Sequence, residues 1–141
     1  MNHSTIYLTS ADHSKLRLLL ASALRSRSSN SLLQLKAEVD RAVVLDPSVI
    51  PAGVVTLDSE VEYEDLKTHE TEKYIITFPE RANVDQNRLS ILAPIGIALI
   101  GCREGDVVKW SMPRGIRQLK VKHVTAAADL PASEPIASMW G

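Results

Sequence analysis

Apolar positions in the first third of the chain recur at helical spacing. Leu16, Leu19, Leu20, Ala23 and Leu24 form one stripe, and Leu32, Leu35, Val39, Ala42 and Val43 form a second. Between them, Ser26 to Ser31 (SRSSNS) contains no apolar residue and reads as a turn. The pattern predicts a short antiparallel helical hairpin over residues 1–46. An extended lead from Thr5 to Leu8 precedes the first helix, with Ser10 or Asp12 as its cap. The second helix is expected to run to about Leu45. Asp46-Pro47 to Pro51-Ala52-Gly53 is the joint, because proline cannot continue a helix.

Beyond the joint the pattern changes to strands, expected near Val54–Leu57, Glu60–Leu66, Glu72–Phe78, Leu89–Ile91, Asp106–Ser111 and Ile116–Val124. One short buried helix interrupts them. Pro94 suits its first turn, Ile95, Ile97, Ala98, Leu99 and Ile100 supply its apolar surface, and Gly101 is a left-handed stop. Gly105-Asp106 then turns the chain into the strand that carries Val107, Val108 and Trp110. The last stretch, residues 126–141, is rich in Ala, Pro and Ser and reads as a partly disordered tail.

The segment SILAPIGIALIGCREGDVVKWSM, Ser90 to Met112, resembles the pattern ISxxSPxGxALxGxxxGDxV of the GreA/GreB transcription elongation factor superfamily. Upstream, Glu38, Asp40-Arg41-Ala42, Pro47, Pro51, Val54-Val55-Thr56, Ser59 and Val61 follow the pattern of its Rnk branch, the regulators of nucleoside diphosphate kinase. Ala93-Pro94, Trp110, Pro113 and Gly115 continue that match. The resemblance implies an α+β fold in which residues 47–125 form an FKBP-like antiparallel sheet wrapped around the short helix. It implies RNA polymerase core enzyme as partner. Docking at the rim of the polymerase secondary channel would use Ala93, Pro94, Ile95 and Gly96 with the adjoining loop at Asp58 and Ser59. The superfamily's cleavage factors carry Ser where this chain has Ala93, so their polar contacts there do not transfer.

The hairpin bears on whether the chain promotes transcript cleavage. Cleavage factors present acidic side chains at the tip of a long hairpin to help hold a catalytic magnesium, a hard cation that needs oxygen ligands. Here no Asp or Glu occurs between Asp12 and Glu38, and the tip carries Arg25, Arg27 and Asn30. Transcript cleavage is therefore not expected. Glu38, Asp40 and Arg41, at the hairpin base, match the Rnk pattern and read as a helix-surface ion network, a clamp between hairpin and globular domain, or a partner contact.

Composition narrows the rest. Only one Phe, two Trp and three Tyr occur in 141 residues that are 45% hydrophobic, so the core must be aliphatic. Cys102 stands alone, which excludes an internal disulfide and a cysteine-cluster zinc site. The four histidines have no metal-ligand spacing, and Gly96 to Gly101 lacks the Lys and Ser/Thr of a phosphate loop. Glu60, Glu62 and Glu64 alternate along one strand face and read as the solvated face of an exposed strand. The net charge is −1, with a mildly basic first third, which does not suggest sequence-specific nucleic-acid binding. No apolar run approaches the ~18–20 residues of a membrane span, and no secretory signal is visible. The expectation is a cytoplasmic, monomeric regulator without cofactor or metal. Its rival is an FKBP-like peptidyl-prolyl isomerase, an inference from fold alone.

Overall fold

The computed structural model describes residues 5–27, 29–112 and 115–130. Strand β1 (Tyr7–Leu8) leads into helix α1 (Ser10–Ser26), and residues 27–29 connect it to α2 (Asn30–Asp40). Thr9, rather than Ser10 or Asp12, caps α1: its hydroxyl accepts the Asp12 N–H at 3.2 Å. Ser29 caps α2 in the same way, through the Leu32 N–H.

The second helix stops five residues before the expected Leu45. Val43 and Val44 instead form strand β2, which pairs parallel with β1. Their N-terminal partner offers unpaired carbonyls: the Val43 N–H bonds Ile6 O and the Leu45 N–H bonds Leu8 O, both at 2.9 Å. Two β-branched residues beside that edge favour the ladder over another helical turn.

Strands β3 (Glu60–Asp65), β4 (Thr71–Thr77), β5 (Arg88–Ser90), β6 (Val107–Met112) and β7 (Gly115–Thr125) form a sheet in the order β5-β4-β3-β7-β6. The sheet is mixed, not wholly antiparallel, because β5 runs parallel to β4. Residues 78–87 carry the chain back through two 3-10 turns, and Asn87, left-handed at φ 56°, redirects it into β5. A bulge opposite Glu62 and Tyr63 places Lys122 out of register on β7. The expected strand at Val54–Leu57 does not form. Val54, Val55 and Leu57 are buried, but only Val54 makes a ladder bridge, to Arg103, before the chain turns at residues 56–59. Apolar side chains there reported burial rather than strand.

Helix α3 (Pro94–Leu99) packs against the sheet and α2. On β3, Val61, Tyr63 and Asp65 face inward while the three glutamates face outward. The buried set is continuous from the helix pair (Leu16, Leu20, Leu32, Leu35, Val39) through the sheet (Val61, Ile76, Leu119, Val121) to α3 (Leu99). It is aliphatic with few aromatic members, Tyr63 and Phe78 among them. No helix among the described residues is long and apolar enough to cross a membrane. Ala127–Asp129 form one 3-10 turn; Pro113 and residues 131–141, most of the expected tail, lie outside the described residues.

Candidate functional site

The start of α3 is built from the end of β5. Ser90 organises the turn: its hydroxyl accepts the Leu92 N–H at 3.0 Å and its carbonyl accepts the Ala93 N–H at 2.9 Å. Ala93 is the N-cap without a side-chain bond, and Pro94 occupies the first turn, where its missing N–H is not needed. Pro94 is exposed and Ala93 half-buried, whereas Ile95 and Gly96 are buried. Ile95 and Gly96 therefore cannot present side chains to a partner; they hold the helix down. At Gly96 a Cβ would lie 2.6 Å from the Ser90 carbonyl oxygen, closer than any real contact allows. Gly96→Ala is accordingly expected to lower stability by about 1–3 kcal/mol through forced movement of α3. Thermal unfolding measures this, and an unchanged midpoint would mean that α3 sits further from β5.

Asp58 and Ser59 lie on the turn before β3. Ser59 is fully buried, with its hydroxyl donating to Thr56 O at 2.7 Å and accepting the Thr56 N–H at 3.0 Å. It is a turn-locking residue, not a surface contact. Asp58 is left-handed at φ 68°, a conformation that Asp tolerates better than most residues. Both of its carboxylate oxygens are engaged: Thr77 Oγ1 donates to Oδ1 at 2.6 Å and Arg81 Nη2 to Oδ2 at 3.2 Å. Thr77 in turn pairs with Ser90 across β4 and β5. Asp58 and the Ala93–Pro94 turn are thus joined through the Thr77 side chain and the backbone pairing of β4 with β5, a link that their separation in sequence hides.

Arg25, Arg27 and Asn30 are gathered at the α1–α2 connection, all exposed. Glu38, Asp40 and Arg41 lie at the other end of α2. Asp40 binds Lys36 at 2.8 Å and faces Arg17 of α1 at 3.8 Å, so it ties the two helices to each other. The Lys36 hydrogen bond holds its carboxyl below the usual range, while burial raises that of Glu38. His13 Nε2, 3.2 Å from Val39 O, adds a further cross-link.

Several contacts within the fold involve residues that the sequence reading did not single out. Asp65 is buried, takes the Lys67 N–H at 2.8 Å and pairs with Arg117 at 2.7 Å across β3 and β7. Those two bonds hold its carboxyl below the usual range. Tyr63 donates its hydroxyl to Glu72 at 2.8 Å and stacks on Tyr74, with centroids 6.1 Å apart; burial pushes its hydroxyl pKa up. Lys15 of α1 sits 4.2 Å above the Phe78 ring and pairs with Glu80. Alternation along β3 could have flagged Asp65, since it falls on the inward face with Val61 and Tyr63. Nothing local flags Lys15. Among the described residues no three His, Cys, Asp or Glu side chains come together to hold a metal ion.

Residues 50–126 match the family model for the C-terminal part of the transcription elongation factors GreA and GreB, and residues 5–45 match that for the Rnk N-terminus. The chain belongs to the GreA/GreB family. Within it, the chain is similar to the regulator of nucleoside diphosphate kinase of Escherichia coli K12, with 37% identity over 82 residues, 58% of this chain and 60% of that protein. It is also similar to GreA of Clostridium beijerinckii, 32% identical over 90 residues, 64% of this chain and 56% of that one. The chain thus spans about 60% of the length of these curated relatives. A solved GreA/GreB elongation factor from Nitrosomonas europaea superposes with a TM-score of 0.73 at 32% identity, over 86% of this chain and 98% of that one. Between them, the two family models cover the helix pair and the sheet.

Proposed function

We propose that this chain is an RNA polymerase-binding regulator that occupies the secondary channel without stimulating transcript cleavage. The Ala93–Pro94 end of α3 docks on the channel rim and the helix pair points inward. The observation that carries the reading is the helix pair itself. α1 has 17 residues and α2 has 11, which limits the arms to about 25 and 16 Å at ~1.5 Å per residue. The connection carries Arg25, Arg27 and Asn30 and no carboxylate. A short arm with a cationic tip offers magnesium no carboxylate and repels it, which favours occupancy as the mechanism.

Membership of the GreA/GreB family supports polymerase as the partner, and the name of the Escherichia coli relative suggests an effect on nucleoside diphosphate kinase. No residue here accounts for that second link. The isomerase alternative has less to rest on. Tyr63 and Phe78 are buried, Phe78 beneath Lys15, rather than lining an open apolar cleft.

A competition titration tests the proposal. At fixed concentrations of polymerase and a GreA-type factor, added chain should suppress factor-stimulated cleavage in stalled complexes. More factor should restore it by mass action. Alone, with magnesium, the chain should release no shortened RNA. A flat titration with both proteins bound together would place their sites apart and refute occupancy.

A further inference from the structure

We propose that Lys15, Phe78 and Arg81, with Asp58 and Glu80, form a clamp that sets the direction of the helix pair relative to the α3 docking turn. The inference rests on the occlusion reading for its purpose and on separate contacts for its existence. Lys15 reaches from α1 to the Phe78–Arg81 corner after β4. Its ammonium lies 4.2 Å over the Phe78 ring and pairs with Glu80. The Arg81 guanidinium lies 5.8 Å from the same ring centroid and donates to Asp58 at 3.2 Å. Phe78 is 1% exposed, so two cations share one ring that is otherwise sealed in the core.

The clamp is continuous with the docking turn. Asp58 accepts from Thr77, Thr77 pairs with Ser90, and the Ser90 carbonyl holds the N–H of Ala93. From α1 to Pro94 the path runs through hydrogen bonds, ion pairs and one aromatic face. These contacts are directional. The apolar packing beneath, from Leu16, Leu35 and Val39, is not, and it tolerates small rotations of a helix over its neighbours. Packing therefore retains the arm while the clamp aims it. Aim matters at this length: a rotation of about 10° at the base moves the end of a ~25 Å helix by about 4 Å. A displacement of that size separates an arm that enters a channel from one that meets its wall.

The test is a distance measurement by pulsed electron spin resonance on the free full-length chain. Labels are placed at Leu33→Cys on α2 and Val84→Cys on the sheet side, both exposed positions, with the fully buried Cys102 left in place. The parent should show one narrow distribution. Lys15→Gln combined with Arg81→Gln should widen it at least twofold, whereas Lys15→Arg, which keeps charge and ring contact, should retain the parent width. Raising ionic strength from ~0.1 to ~1 M shortens the screening length from about 10 to 3 Å, so it should widen the parent and not the double variant. This arm needs no mutation in the clamp and decides the matter even if the double variant folds poorly. A folded double variant with the parent width, or a parent insensitive to salt, overturns the clamp. Polymerase binding by the parent is measured separately: its absence would refute the docking reading while leaving the distance result to judge the clamp.

Discussion

With Ala93 and Pro94 both replaced by glutamate, this chain should lose at least ~100-fold in affinity for core RNA polymerase while its fold persists. An uncompensated charge at the centre of a protein interface costs roughly 2–5 kcal/mol, and about 2.8 kcal/mol already corresponds to a hundredfold change in Kd. The fold should tolerate the change for local reasons. Pro94 is exposed, Ala93 makes no capping bond that could be lost, and negative charge is favourable in the first turn of a helix. Ile95 is a poor position for this test, because it is 9% exposed and a charge there would report on folding. Affinity by fluorescence titration, read beside circular dichroism, checks the outcome. Native affinity in the folded double variant would move the docking face elsewhere on the molecule.

Leu35→Ala should destabilise the chain by about 2–5 kcal/mol, a large share of the ~5–15 kcal/mol that holds a typical domain together. Leu35 is 0% exposed on α2 and belongs to the buried set that runs through the sheet to α3. Truncating it leaves a void where the helix pair meets the rest of the core. Leu33, two residues earlier and 49% exposed, is the control, and its replacement by alanine should stay within ~0.5 kcal/mol. Denaturant unfolding of both variants, with slopes compared to the parent, measures the difference. A loss near that of the control would mean that α2 is only loosely attached and that the core is not shared.

The turn that starts α3 was legible because its signals are local. Pro94 at a helix start and a glycine stop at Gly101 mark α3, and the family pattern is carried by the same residues. What could not be read there was which members face outward. Ile95 and Gly96 are consecutive with Pro94 yet buried, because a helix of six residues lying against β5 has only one open end. Ser59 failed for the same reason: a hydroxyl in a motif looks like a surface contact until its turn is seen to close around it.

The amino-acid sequence by itself determined the family, the two-helix start, the strands of the sheet from Glu60 onward with the short helix set among them, and the absence of acidic groups at the helix connection. Each depends on periodicity, on residue type or on spacing along the chain. Tertiary structure alone decided that α2 yields to a β ladder at Val43, because the competing partner, Tyr7–Leu8, lies some thirty-five residues earlier. It alone made β5 parallel to β4, paired Asp65 with Arg117 across two strands, and brought Lys15 onto Phe78. These are contacts between residues far apart in the chain, whose free energies depend on which surfaces meet, and a one-dimensional pattern carries the preference of each segment but not the identity of its neighbour.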